Sequence, residues 1–331
     1  EIMPSLVGSE MCIRDRKENY LKSNNAAYQL QNFIDGITES VNTPFIPTGF
    51  TRLDETLDGG LFEGLYIVGA ISSLGKTTLI MQIADQVAAA GNDVLIFSLE
   101  MARTEIMAKS ISRLTLLDVL QNGGNTQNAK TTRGITTGSR YAHYSKDERD
   151  LITRAIKSYG EYAGNIYIVE GIGSVGAEQI REQVNKHILF TGKRPVVIVD
   201  YLQILAPYSE RATDKQNTDK AVLELKRISR DYKVSVIGIS SLNRAGYKEA
   251  VTMEAFKESG AVEYTSDVLI GLQLKGAGKK NFDVNEAKKR NPREIEAVIL
   301  KNRNGATGGK IAFDYYPLFN YFKETERAEE D

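Results

Sequence analysis

Ala70-Ile71-Ser72-Ser73-Leu74-Gly75-Lys76-Thr77 stands between an apolar run, Leu65 to Val68, and a helix-like run, Thr78 to Ala90. A loop of small residues in that setting turns backbone N–H groups and the positive end of a helix dipole toward phosphates. Ser72, Ser73, Leu74, Gly75, Lys76, Thr77 and Thr78 are therefore the candidate nucleotide-binding residues. Lys76 is placed to reach the β- and γ-phosphates of a nucleoside triphosphate, and the Thr77 hydroxyl to ligate Mg²⁺. Ala70 stands where the pattern usually has its first glycine, with Gly69 just before it. The competing explanation is a chance Gly-Lys-Thr at a helix start, against which the strand-then-helix context argues.

Beyond this loop, apolar runs of strand length alternate with helix-length stretches. Val94 to Leu99, Ile166 to Glu170, Val196 to Val199, Val234 to Ile239 and Val268 to Leu274 read as strands. Arg103 to Leu120, Asp147 to Tyr159, Ala177 to Phe190 and Lys215 to Tyr232 read as helices. Such alternation predicts an α/β fold, a mostly parallel twisted sheet with helices on both faces. Gln121 to Ser139 is polar and glycine-broken, and reads as an irregular loop. Ala297 to Leu300 and Lys310 to Tyr315 flank Lys301-Asn302-Arg303-Asn304-Gly305 and predict a C-terminal β-hairpin.

Ahead of the core, Tyr20 to Ile37 has apolar residues near a 3.6-residue period and reads as one amphipathic helix. Pro44 and Pro47 then punctuate the chain. The expected organisation is a linker helix at 17–43, a main domain starting at 44 and an acidic tail at 323–331. Residues 3–16 join neither period and resemble a translated sequencing adapter. For 1–16 the expectation is a non-native or disordered segment, with the native product starting upstream.

Composition removes several classes. With 41% hydrophobic and 26% charged residues among 331, the chain reads as soluble and globular. A net charge of −1 supplies no global field for polyanions, so any nucleic-acid site must be a local basic patch. The single cysteine, Cys12, excludes an internal disulfide and a thiol zinc cluster, and two histidines, His143 and His187, argue against histidine-rich metal chemistry. No apolar run approaches the roughly 18 residues that cross a bilayer, so no membrane role is expected and a cytoplasmic setting is the default.

Two carboxylates end strands. Pro195-Val196-Val197-Ile198-Val199-Asp200 places Asp200 at the carboxyl end of a buried strand, where it can complete the Mg²⁺ shell opposite Thr77. A turn-capping aspartate fits the same position. Glu100 ends Ile96-Phe97-Ser98-Leu99 and is the candidate general base that orients water, while a helix-capping role is its alternative. Lys301 and Arg303, two residues apart, share one face if the segment is a strand. They are either an interfacial pair that stabilises transition-state charge or a solvated hairpin tip.

The order of these motifs resembles the C-terminal ATPase domain of DnaB-type replicative DNA helicases, a RecA-like branch of the P-loop NTPases. The likeness rests on Thr48-Gly49-Phe50-Thr51-Arg52-Leu53-Asp54 with Gly59-Gly60-Leu61, and on the loop through Thr78. Phe97 to Met101, Val199 to Gln203, Leu242-Asn243-Arg244 with Glu258-Ser259-Gly260, and Lys301 through Gly308 extend it over roughly residues 44–322. It implies that Lys76, Thr77, Glu100 and Asp200 form the nucleotide and catalytic positions. Lys301 and Arg303 then match the pair reaching the adjacent subunit's γ-phosphate. At the sensor, where the family commonly has Gln, this chain has Ser241, followed by Arg244. A serine hydroxyl is too short to span the same gap without water.

The resemblance further implies a homo-oligomer, in this family a hexameric ring, threaded by single-stranded DNA. Lys257, Glu258 and Gly260 fall in one channel loop and Arg211 in another, and solvated surface charge is the alternative for Lys257 and Arg211. A primase or helicase loader is the further partner implied. Family members normally carry an N-terminal helical domain, and only residues 1–43 precede the ATPase core here. That reads as a truncated product or the helicase half of a primase–helicase. Two functions remain open: an ATP-dependent translocating helicase, and a DNA-binding or loader-type ATPase without unwinding activity.

Overall fold

The structure is a computed structural model that describes residues 4–40, 45–171, 175–242, 249–256 and 260–326. It divides into two compact units after Phe45. The first is a helix pair, α1 (Pro4–Asn24) and α2 (Ala26–Ser40). The stretch Tyr20 to Ile37, read as one helix, breaks at Asn25, whose Oδ1 accepts from the Ala27 N–H at 2.9 Å and begins a new helix. α1 also takes in most of 3–16, where the sequence shows no period. On α2, Leu30, Phe33, Ile34 and Ile37, spaced i, i+3, i+4, i+7, are each at least half exposed.

The second unit runs α3 (Thr51–Thr56), β1 (Gly64–Ala70), α4 (Lys76–Ala89), β2 (Val94–Ser98), α5 (Arg103–Gln121), α6 (Thr132–Thr136), α7 (Gly138–Ala142) and α8 (Lys146–Tyr162). It continues with β3 (Ile166–Glu170), α9 (Ala177–Thr191), β4 (Val196–Asp200), α10 (Asp214–Tyr232), β5 (Ser235–Ser241), α11 (Gly260–Thr265) and β6 (Val268–Leu274). α12 (Val284–Lys289), β7 (Arg293–Asn302), β8 (Lys310–Tyr316) and β9 (Tyr321–Glu324) complete it. One sheet results, in the order β3-β2-β4-β5-β1-β6-β7-β8-β9. Its first six strands are parallel and its last three antiparallel.

β1, β2, β4 and β6 are buried at every residue, as apolar strands with helices on both faces must be. Alternate side chains divide between the faces. Tyr66, Val68, Ile96 and Ile198 meet Leu79, Ile83 and Val87 of α4. Leu65, Ile67, Phe97 and Val197 meet Ile180 and Val184 of α9 and Val222, Leu225 and Ile228 of α10. No helix among the described residues is long and apolar enough to cross a membrane.

Two stretches differ from the sequence expectation. Gln121 to Ser139 is not irregular throughout: it holds a 3₁₀ turn at Thr126–Asn128, α6 and the start of α7. Asn125 accepts from the Gln127 N–H and Thr131 from the Gly134 N–H, so polar caps convert a breaker-rich segment into single helical turns. The hairpin β7–β8 gains a further strand, β9, which begins before 323 and includes Lys323 and Glu324. The Glu324 carboxylate accepts from the N–H groups of Arg52 and Leu53, fastening the end of β9 to the start of α3.

Beneath α4 and α5 a buried ion pair joins Arg113, 3% exposed, to Asp85. Arg113 Nη1 also donates to the Asn320 carbonyl at 3.1 Å. Burial pushes the Asp85 carboxyl up from its ordinary value, against the pull of the guanidinium. Arg113→Met strands that carboxyl, and the expected cost is about 3–5 kcal/mol. Urea unfolding should show a lowered midpoint at unchanged slope. A loss within about 1 kcal/mol, the worth of a surface pair, would contradict the buried-pair assignment.

Candidate active site

Residues 71–75 leave the carboxyl end of β1 and enter α4 with Gly75 as the N-cap, at φ 82°. That left-handed conformation suits glycine, and a Cβ here would also stand 2.8 Å from the Tyr315 ring and 2.9 Å from Phe322. These two rings stack at 4.2 Å and wall the turn. Leu74 is fully buried and anchors the loop, while Ser72 and Ser73 are exposed. Ser73 also has positive φ, 69°, and its carbonyl accepts from Arg293 Nη1 at 3.1 Å. Thr78 turns its side chain to the Tyr315 hydroxyl, leaving its backbone as the part available to a phosphate.

Lys76 lies where three strand ends converge. Its ammonium donates to the Ser241 hydroxyl at 2.6 Å and to the carbonyls of Ala70 and Ser240 at 3.3 and 3.4 Å. Burial lowers its pKa, opposed by the charges of Asp200 and Glu100. Thr77 Oγ1 donates to Asp200 Oδ1 at 3.3 Å. Asp200 is 2% exposed, and burial pushes it up to about 6, with the Glu100 charge adding to the rise. A hydroxyl beside a carboxylate that resists ionising alone is a fitting oxygen donor set for a hard divalent cation. Glu100 is exposed at the end of β2, and β2 is tied to β4 by the Leu99 N–H to the Asp200 carbonyl at 2.9 Å. Both carboxylates thus share the rim with Lys76.

Gln203 ends the motif that begins at Val199 and has no assigned site role in the sequence, yet it clamps the Ser241 backbone. Its Nε2 donates to Ser240 Oγ at 2.9 Å and to the Ser241 carbonyl at 3.4 Å, and its Oε1 accepts from the Ser241 N–H at 3.3 Å. Arg211 is exposed in the loop after β4, which Asn217 of α10 fixes by bonds to Ser209 and Ala212. Gly260 opens α11. Arg244, Lys257 and Glu258 lie outside the described residues.

Lys301 and Arg303 are not part of this rim. β7 is antiparallel to β6, so its end pairs near the amino end of the parallel strands, Leu269 opposite Lys301. Arg303 Nη1 lies 3.3 Å from Asp267, which in turn accepts from the N–H of Leu65 in β1. The seven residues of β1 separate this edge from the phosphate loop, about 20 Å at strand rise. Lys301 is the last-but-one residue of β7 and Arg303 follows the strand; Lys301 bonds the carbonyls of Glu263, Tyr264 and Ser266, and Arg303 bonds Asp267.

A phosphate-type loop at a helix start, with a buried aspartate on a parallel strand of the same sheet, defines the P-loop nucleotide-binding class on a RecA-like sheet. The model of the DnaB-like helicase C terminal domain matches residues 45–324, and the chain belongs to that family. It is similar to the replicative DNA helicase DnaC of Bacillus subtilis, 28% identical over 292 residues, which are 86% of this chain and 58% of that protein. The replicative DNA helicase DnaB of Geobacillus stearothermophilus is 28% identical over 85% of this chain and 57% of its own length. The chain thus spans somewhat over half of these relatives. Among solved structures, an ATPase domain superposes with a TM-score of 0.74 at 22% identity, over 90% of this chain and 99% of that one. A DnaB-like replicative helicase studied with primase gives 0.71 at 20% identity, over 94% and 74%.

Asp200 supplies a pH signature. Its folded-state pKa is raised, so the folded chain holds a proton that the unfolded chain releases, and the associated stability is complete below about pH 4. It is lost as pH rises through about 6. Without nucleotide or divalent cation, Asp200→Asn should be more stable than the parent at pH 7 by about 2–3 kcal/mol. Denaturant titrations should show that difference closing toward pH 4, and a difference independent of pH would contradict the assignment.

Proposed function

We propose that the chain is the motor part of an ATP-dependent replicative-type DNA helicase, hydrolysing nucleotide between two copies and moving on single-stranded DNA. One observation carries this: the phosphate loop and Arg303 stand on opposite edges of one sheet. A single copy cannot bring both to the same phosphate, whereas a head-to-tail ring does so at every junction. The ring is taken to be a hexamer.

In this reading the β- and γ-phosphates of ATP sit among the N–H groups of residues 72–78, and Lys76 exchanges the Ser241 hydroxyl for phosphate oxygens. Thr77 and Asp200 hold Mg²⁺, which when bound screens the phosphate charge. Glu100 orients the attacking water and takes its proton as the new P–O bond forms and the bond from the γ-phosphorus to the β–γ bridging oxygen breaks, that oxygen leaving on ADP and the γ-phosphoryl group as inorganic phosphate. Arg303 of the adjacent copy, with Lys301, meets the charge that builds on the γ-phosphoryl group.

Ser241 registers Lys76 directly, so it senses nucleotide through the lysine rather than by touching phosphate. Gln203 connects that strand end to the loop carrying Arg211. With Arg244, this strand end couples the site to DNA contacts at Arg211, at Lys257 and at the backbone N–H groups of Glu258 and Gly260. Work on DNA implies a cytoplasmic setting, with a primase or loader as partner. The α2 stripe supplies the apolar face by which residues 17–43 link neighbouring copies.

ATP turnover should rise with single-stranded DNA, and a forked duplex should be unwound. DNA-independent turnover without displacement would overturn the helicase reading in favour of a loader-type ATPase. Arg303→Ala should lower kcat by on the order of a thousandfold while nucleotide affinity holds. Complete loss of ATP binding in that variant would place Arg303 in its own copy's site instead.

A further inference from the structure

Asp267 stands between α11 and β6, at the edge of the sheet remote from its own phosphate loop. Its carboxylate gathers three elements. Oδ2 accepts from the Leu65 N–H of β1 at 2.7 Å and from Lys226 Nζ of α10 at 2.6 Å. Oδ1 faces Arg303 Nη1 at 3.3 Å. The Asp267 carbonyl also accepts from the Arg303 N–H at 2.8 Å, so one residue holds the arginine by both backbone and side chain.

The two ends of this contact differ in freedom. The Asp267 side chain is 14% exposed and the Arg303 side chain 52%. Arg303 also borders a cavity of about 150 Å³ shared with Tyr66 and Asn302, which leaves the guanidinium room to swing. Lys301 stiffens the approach to Asp267 by donating to the carbonyls of Glu263, Tyr264 and Ser266 at 2.6, 3.2 and 2.7 Å. Burial and the neighbouring Arg303 charge lower the Lys301 pKa, as expected where Lys226, Lys301 and Arg303 crowd one carboxylate.

From this geometry we infer that Asp267 is the positioning residue for the arginine each copy lends to its neighbour: it fixes the base of Arg303 and aims the guanidinium outward. The inference rests on the interfacial role of Arg303 proposed above. Asp267 itself does not touch nucleotide. It acts only through Arg303, and a carboxylate is required because a neutral side chain would leave three cations to disperse one another.

The test is subunit mixing, read by ATP hydrolysis without DNA. Asp267→Asn retains an acceptor for the Leu65 N–H but loses the charge. Its homogeneous rings should lose on the order of a hundredfold in kcat, the cost of displacing a catalytic group by about 1 Å, at unchanged KM for ATP. Lys76→Ala copies cannot use their own site but still lend Arg303. Mixing them with Asp267→Asn copies should restore hydrolysis, as mixing them with Arg303→Ala copies should. A merely structural defect in Asp267→Asn would stay with its own nucleotide site and would not be complemented.

Recovery with Arg303→Ala but not with Asp267→Asn would overturn the role of Asp267 and leave the interfacial arginine standing. Recovery with neither would overturn both, and parental kcat in Asp267→Asn rings would overturn the positioning role outright. If the asparagine variant does not assemble, Asp267→Glu keeps the charge, moves it by one methylene, and is read by the same mixtures against the same outcomes.

Discussion

A parallel sheet delivers all its strand ends to one edge, and that geometry governs what this chain can do alone. β1, β4 and β5 bring the phosphate-type loop, Asp200 and Ser241 together there, with Glu100 arriving from β2. The antiparallel strand β7 runs the other way and carries Lys301 and Arg303 to the far edge. Seven residues of strand, about 20 Å, cannot be bridged by a side chain. The active site shared between copies that is proposed above rests on this difference in strand direction.

The loop itself is shaped by distant residues. Gly75 turns under the Tyr315 and Phe322 rings, and Arg293 holds the carbonyl of Ser73, 220 residues earlier in the chain, so β7, β8 and β9 brace the loop from the same sheet. Electrostatics complete the design. Burial makes both Lys76 and Asp200 reluctant to carry charge. Bringing in a polyanion with its cation relieves both at once, since each acquires a counter-charge in a low-dielectric setting. The Ser241 hydroxyl holds the ammonium in the meantime.

Much of this was legible in the sequence because the parallel strands are unbroken apolar runs. Ile166 to Glu170 and Val268 to Leu274 form strands with the bounds their composition implies, and the loop before α4 announces itself by its small residues. What stayed hidden depends on partners far along the chain. β9 is short and half polar, and is a strand because β8 offers it a ladder. Asn25 splits a helix that the apolar period carries straight through, because the period records faces and not caps. Gln203 belongs to the Val199–Gln203 motif and Asp267 to none, and only the fold sets them against Ser241 and Arg303. The family pattern has a longer sensor side chain than Ser241, and the structure answers with a contact to Lys76, 165 residues away.

The most direct measurement is a structure of the assembled protein with a non-hydrolysable ATP analogue and Mg²⁺. A site shared between copies requires Lys76 on the phosphates and no longer on Ser241, with Arg303 of the adjacent copy within about 3 Å of the same phosphate chain. Phosphates contacted by one copy alone, or Lys76 still held by Ser241 with nucleotide bound elsewhere, would contradict it.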